Sequence, residues 1–88
     1  MASYKIQWKR SAKKEFRKLN KQVILRILQA VEKLAEDPYA VGSKKLVGSD
    51  SIYRIRVGDY RIIYNIESSI LTIEIIKVGH RREIYRKQ

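Results

Sequence analysis

From Ile52 to Tyr85 the chain reads IYRIRVGDYRIIYNIESSILTIEIIKVGHRREIY. Three short runs in it alternate apolar and polar residues and are rich in Ile, Val and Tyr, the period-two signature of half-buried strands. Gly58-Asp59 and Ser68-Ser69 separate them. Gly at the first central position suits a type II′ turn, whose twist matches that of its flanking strands. A two-residue loop at Gly58-Asp59 pairs Val57 with Tyr60, Arg56 with Arg61, Ile55 with Ile62, Arg54 with Ile63 and Tyr53 with Tyr64. One face of the hairpin then carries Tyr53, Ile55, Val57, Tyr60, Ile62 and Tyr64. Arg54, Arg56 and Arg61 share the other.

Arginines directly opposite one another in a sheet have Cβ atoms only about 5 Å apart, and like charges at that distance are destabilising. A two-residue turn at Ser68-Ser69 places Glu74 opposite Ile63, diagonal to Arg61. The face thus reads either as a solvated basic surface with one structural Glu–Arg pair, or as an anion site. His80, Arg81, Arg82, Tyr85 and Arg86, just past the third strand, favour the anion site.

The segment Tyr53-Arg54-Ile55-Arg56-Val57-Gly58-Asp59-Tyr60-Arg61-Ile62-Ile63-Tyr64, followed by Val78-Gly79-His80-Arg81-Arg82-Glu83-Ile84-Tyr85-Arg86, closely resembles the RelE/ParE superfamily of bacterial and archaeal toxins. It is most similar to the RelE branch, which cleaves messenger RNA on the ribosome. Lys45-Leu46 followed by Gly48 also matches a segment these toxins carry, so the resemblance spans nearly the whole chain as a single RelE-like domain over residues 1–88.

Composition agrees. Eighty-eight residues are enough for one small core. At 44% hydrophobic residues the chain is too apolar for disorder. Twenty Lys and Arg against nine Asp and Glu give +11, which draws the chain to nucleic acid or an acidic protein. That charge is not confined to one amphipathic helix, which argues against a membrane-surface role. No run of apolar residues is long enough to span a bilayer and no signal-peptide pattern occurs, so a cytoplasmic location is expected. The lack of Cys excludes disulfides, thiolate zinc sites and cysteine catalysis, and a single His excludes a histidine-rich metal site. No metal or cofactor is expected.

Upstream, Tyr4-Lys5-Ile6-Gln7-Trp8 alternates as a first strand, with Tyr4, Ile6 and Trp8 toward the core. Ser11 is placed to cap a helix running to about Leu19, with Ala12, Phe16 and Leu19 on its apolar stripe. Lys13, Lys14, Arg17 and Lys18 lie on its other face, either solvated or, as the resemblance implies, against ribosomal RNA. Asn20 can break this helix and cap a second, whose apolar face is Val23, Ile24, Ile27, Leu28, Val31, Leu34 and Ala35. Pro38 ends it, because a proline disfavours helix in the residue before it. The Pro38–Asp50 stretch is irregular, and its Lys44 and Lys45 run into the arginine-bearing strand, where they could edge the same groove. The segment from Arg81 to Lys87 reads as a short helical turn or an ordered tail.

The expected fold is α+β: an N-terminal strand, an αα-hairpin, then a three-stranded antiparallel meander. By resemblance the first strand completes a four-stranded antiparallel sheet with helices on one face.

The resemblance further implies a toxin of a type II toxin–antitoxin system: a metal-independent endoribonuclease acting on mRNA in the ribosomal A site. In it the substrate's own 2′-hydroxyl attacks the neighbouring phosphorus. By position, Arg61 and Arg81 would stabilise the phosphate, Arg81 near the leaving group, and Tyr85 would hold or stack on the reacting nucleotide. Arg54 and Arg56 fall where relatives carry lysines. Arginine stays protonated, so it is a poor base. His80, or Tyr85 with its pKa lowered by nearby arginines, then becomes the candidate base. Arg82, Lys44, Lys45 and the first helix's cations would bind RNA, while Glu74 and Glu83 read as structural partners of arginines. An acidic RelB-like antitoxin is the expected partner. A ParE-like gyrase inhibitor and a non-catalytic RNA-binding module remain as alternative readings.

Overall fold

The computed structural model describes residues 3–39 and 42–80. Two strands, β3 (Ile52–Val57) and β4 (Tyr60–Glu67), form the hairpin with the register expected from sequence: Val57 opposite Tyr60, Arg56 opposite Arg61 and Tyr53 opposite Tyr64. Gly58 turns the chain at φ +60°, where an L side chain is strained, while Asp59 keeps a negative φ. That combination excludes a type I′ turn, which needs positive φ at both central residues, and fits type II′.

β5 (Thr72–His80) pairs antiparallel with β4, but not in the expected register. The link is a 3₁₀ turn over Ser68–Ile70 followed by Leu71 at φ +48°, longer than a two-residue Ser-Ser turn. Three contacts hold this unusual leucine conformation: Leu71 N–H donates to the Ser68 carbonyl at 3.3 Å, Thr72 Oγ1 donates to the Ile70 carbonyl at 3.0 Å, and the Leu71 carbonyl accepts from Lys5 N–H at 2.7 Å. Glu67 therefore faces Thr72 and Glu74 faces Asn65. A bulge then shifts the ladder between Tyr64 and Ile63, so Ile63 faces Lys77 and Arg61 faces Gly79. Glu74 is thus not the diagonal partner of Arg61. The adjacent Ile75-Ile76 pair, which breaks strict alternation, marks the bulge.

β1 (Lys5–Trp8) joins the other edge of β5, in parallel. The expected all-antiparallel, four-stranded sheet is instead a five-stranded mixed sheet, ordered β1-β5-β4-β3-β2, with the two-residue β2 (Lys44–Lys45) on β3. The physical reason for the parallel edge is the helical crossover that follows β1, since a chain returning to a sheet through helices can lay strands side by side in one direction.

Helix α1 (Arg10–Arg17) begins two residues too early for Ser11 to cap it; extended Lys9 is the N-cap and makes no side-chain cap. Asn20 does cap α2 (Lys21–Glu36), its Oδ1 accepting from Val23 N–H at 2.9 Å. Both helices pack on one face of the sheet. Ala12, Ile27, Val31 and Leu34 meet Ile62, Tyr64, Ile66, Ile73, Ile75 and Val78 in the core, with Tyr4, Ile6, Trp8, Phe16 and Leu19 around it. Trp8 packs on Phe16, ring centroids 4.7 Å apart, so it is core and not a base-stacking platform. Leu28, expected in the core, lies on the outer side of α2 and is exposed, because the buried stripe is the narrower Ile27–Val31–Leu34 line. Tyr64 anchors the loop after α2: its hydroxyl donates to the Pro38 carbonyl at 3.0 Å, and burial, the largest cause, pushes its pKa up to about 12. Among the described residues no helix is long and apolar enough to cross a membrane.

Candidate nucleic-acid interface

The pairing register determines what stands on the sheet face away from the helices, because side chains alternate sides along each strand and paired residues share a side. One rung crosses four strands as Lys44, Arg54, Ile63 and Lys77. The next rung toward the hairpin turn is Arg56, Arg61 and Gly79. Neither rung contains a carboxylate. In the opposite direction the face changes character: Asn65 and Glu74 stand beside Gln7, then Glu67 and Thr72 beside Lys5. The face is therefore polarised, basic at its hairpin end and mixed or acidic at its far end.

Exposure differs sharply within the basic end. Arg56 and Lys44 are exposed, and Arg54 and Lys77 are half-buried. Arg61 is only 2% exposed. Its Nη1 donates to the Tyr60 carbonyl at 3.4 Å, and its further interactions leave it engaged. Among the described residues no buried side-chain polar atom lacks a partner. A buried guanidinium flanked by a second arginine directly across the ladder is costly unless negative charge is nearby. Gly79 stands across from Arg61 on the other side and puts no side chain beside it.

The remaining candidates divide clearly. Lys45 pairs with Tyr53 and so points to the helix side, leaving only Lys44 on the basic face. His80 also faces the helix side, its ring edge-on to Tyr60 with centroids 5.6 Å apart. Lys13, Lys14, Arg17 and Lys18 are exposed on or just after α1, on the same side as the helices and away from the arginine rungs. Arg81, Arg82, Tyr85, Glu83 and Arg86 lie outside the described residues. Lys77 is the residue that sequence reasoning missed. Its membership of the basic rung follows from the bulge, and the doubled Ile75-Ile76 was the signal for that bulge.

The chain is a small α+β domain with an αα-hairpin on one sheet face and a cluster of arginines and lysines on the other. Residues 6–85 match the family described as the ParE toxin of the type II toxin–antitoxin system parDE, and the chain belongs to this RelE/ParE family. Among individual proteins it is similar to Toxin RelG of Mycobacterium tuberculosis, 30% identical over 96% of this chain and 98% of that protein. It superposes on the isolated Escherichia coli RelE toxin with a TM-score of 0.81 at 27% identity, over 97% of this chain and 94% of that one. The archaeal RelE of Pyrococcus horikoshii, solved as a RelE–RelB complex, gives a TM-score of 0.77 at 26% identity, over 90% and 96% of the two chains. The chain is thus a type II toxin–antitoxin toxin whose similar proteins are RelE toxins.

Proposed function

We propose that this toxin is a ribosome-dependent endoribonuclease that cleaves mRNA in the A site without a metal, and so inhibits translation. The observation that carries this reading is the pair of carboxylate-free rungs, Lys44–Arg54–Ile63–Lys77 and Arg56–Arg61–Gly79, on the side of the sheet away from the helices. Arginine forks donate paired hydrogen bonds to phosphate oxygens, and donors aimed at developing charge often contribute most to catalysis. In the step proposed, the 2′-oxygen bonds to the adjacent phosphorus while its proton passes to a base. The bond to the 5′-oxygen breaks, and that oxygen takes a proton from an acid. The products are a 2′,3′-cyclic phosphate and a 5′-hydroxyl. Arg61 and Arg56 stabilise the charge on phosphorus, with Arg81 near the leaving oxygen. Arg54, Lys44 and Lys77 hold the flanking strand. Tyr85 holds the reacting nucleotide, and Tyr85 or His80 supplies proton transfer, with Arg82 and the α1 cations on RNA. His80's helix-side position makes it the weaker of the two. Because Arg61 is buried, the packing over it must open before a phosphate can touch it.

The partner is an acidic RelB-like antitoxin. A chain at +11 favours one, and the similar archaeal toxin was crystallised with its RelB. A second reading, inhibition of DNA gyrase by a ParE-like toxin, is favoured by the name of the matching family. One comparison separates them. Ribosomes programmed with end-labelled mRNA should yield fragments ending in a 2′,3′-cyclic phosphate, while gyrase supercoiling proceeds normally. Intact mRNA together with blocked supercoiling would replace the nuclease reading by the gyrase one.

A further inference from the structure

At the hairpin end of the sheet, on the helix side, lies a cleft of about 340 Å³, of whose lining the cleavage reading above uses only His80 and Lys18 and leaves Glu15, Leu19 and Tyr60 without a role. Glu15, Lys18 and Leu19 form one wall, and Tyr60, Val78 and His80 the other. That volume is in the range of small-ligand sites. Tyr60 and His80 make the last rung of β4 and β5, one residue beyond the Arg61–Gly79 rung and on the opposite side. Their rings meet edge to face at 75°.

Glu15 is the only acidic residue of α1 and is half-buried. Among the described residues its carboxylate has no hydrogen-bond or ion-pair partner. An ionised carboxylate accepts through both oxygens and donates nothing. Of the four RNA bases, guanine alone offers two adjacent donors, N1–H and the N2 amino group, on its Watson–Crick edge. Adenine and cytosine place an acceptor next to their amino group, and uracil flanks its single N–H with two carbonyls. Unpaired bases are recognised in proteins by this combination, aromatic stacking plus hydrogen bonds to the Watson–Crick edge.

We propose that the cleft is a pocket for one unpaired guanine of single-stranded RNA. The base stacks on the Tyr60/His80 pair over Leu19 and Val78, its N1–H and N2 amino group donate to Glu15, and Lys18 pairs with its phosphate. The strand passes over the end of the sheet, so its neighbouring phosphates continue toward Arg56 on the other face. Base binding stands apart from the nuclease reading; only the assignment of that strand as the cleaved message rests on it.

His80 is the only histidine of the chain, so its imidazole gives an unambiguous NMR signal. The full chain is titrated with the tetranucleotides UUGU, UUAU and UUUU, with 5′-GMP, and with inorganic phosphate. The expected result is that UUGU shifts the His80 signal at a concentration about tenfold lower than UUAU or UUUU, the discrimination one bidentate contact supplies. Glu15→Gln should bring the three tetranucleotides within about twofold, and Tyr60→Leu should weaken all three. Arg56→Ala, on the opposite face, should weaken them equally and leave the guanine preference intact. Equal shifts for all tetranucleotides, a shift reproduced by phosphate alone, or a guanine preference that survives Glu15→Gln would each overturn the proposal. Full affinity for free GMP would overturn its assignment to an RNA strand. A chain that cuts no mRNA yet shows the guanine preference would sink the nuclease reading and leave the pocket standing.

Discussion

The two ends of the sheet face away from the helices lie on either side of a bulge and differ in chemistry. At the hairpin end, the two rungs hold Lys44, Arg54, Lys77, Arg56 and Arg61 with no carboxylate among them. At the far end, Glu67 and Glu74 stand among Asn65, Thr72, Gln7 and Lys5. A surface selected only for solubility mixes signs, because adjacent unlike charges cost nothing and like charges repel. Segregation of positive charge along one face is what the RNA substrate proposed above requires. The far end serves as an internal control: same sheet, same side away from the helices, no concentrated positive charge. Experiments that treat the two ends alike test whether this difference is functional.

The largest effect is expected at Arg61. If it stabilises charge on the reacting phosphate, Arg61→Ala should lower single-turnover mRNA cleavage on saturating ribosomes by about 10²–10³, as when other donors at developing charge are removed. Arg81→Ala should behave alike. Arg61 is buried, so thermal stability is measured in parallel, and exposed Arg56→Ala supplies a variant whose fold is not in question. Cleavage at the parent rate in the Arg61 and Arg56 variants would reduce the basic end to a binding surface.

Next in size is the salt dependence. Removing one cation that pairs with a single-strand phosphate should flatten the log affinity–log salt slope by about 0.7. Lys77→Ala and Lys44→Ala should each do so, because both stand on the arginine rung. Lys45→Ala should not, because its side chain points to the other face. An equal change for Lys44 and Lys45 would mean that net charge, and not the rung, governs binding.

Lys77 also marks the limit of what alternation in the sequence reveals. The β3–β4 hairpin was legible because Gly58 fixes both loop length and turn type, and every pair down to Tyr53–Tyr64 follows from it. The β4–β5 link was not, because Ser68-Ser69 carries no positive-φ preference and the left-handed residue is Leu71, a type that seldom adopts that conformation. Its register depends on interactions from elsewhere in the chain, notably Lys5 N–H to the Leu71 carbonyl. Alternation alone therefore put Glu74 beside Arg61 and left Lys77 out. The arginine face was legible; the lysine that completes it, the parallel edge strand and the helix-side position of His80 required the tertiary fold.

Tyr64 allows the scaffold to be perturbed without touching either end. It lies on the buried side of β4, and burial raises its pKa from about 10 to about 12. A folded state that favours the protonated phenol is stabilised below the unfolded value, and that contribution fades as pH rises from about 10 through 12. The thermal midpoint should therefore fall over that interval, and Tyr64→Phe should flatten the fall while costing some stability at neutral pH by removing the hydrogen bond to Pro38. Cleavage at neutral pH by the folded variant should match the parent. A steep loss of cleavage without a loss of stability would place Tyr64 in the chemistry and not in the frame.

The smallest effect is the most demanding test of the comparison. Glu74→Gln and Glu67→Gln remove the negative charges of the far end; Glu74 stands on the rung next to Lys44–Arg54–Ile63–Lys77, and Glu67 one rung further away. If the face were one continuous electrostatic surface, raising the net charge by one at either position should tighten RNA binding as much as Lys77→Ala weakens it. If function resides in the two basic rungs, Glu67→Gln should bind and cleave within about twofold of the parent, because exposed charges separated by more than a Debye length of about 8–10 Å are largely screened at physiological salt, while Glu74→Gln, on the adjacent rung and half-buried, should have the larger effect of the two. Glu67 is exposed, and its side chain accepts from Asn65 at 3.0 Å, so Glu67→Gln also checks that this local hydrogen bond contributes little to stability. The measurement is cleavage and ribosome affinity at two salt concentrations. A gain at low salt that vanishes at physiological salt fits screened, long-range charge, whereas a gain that persists would extend the interface across the whole face.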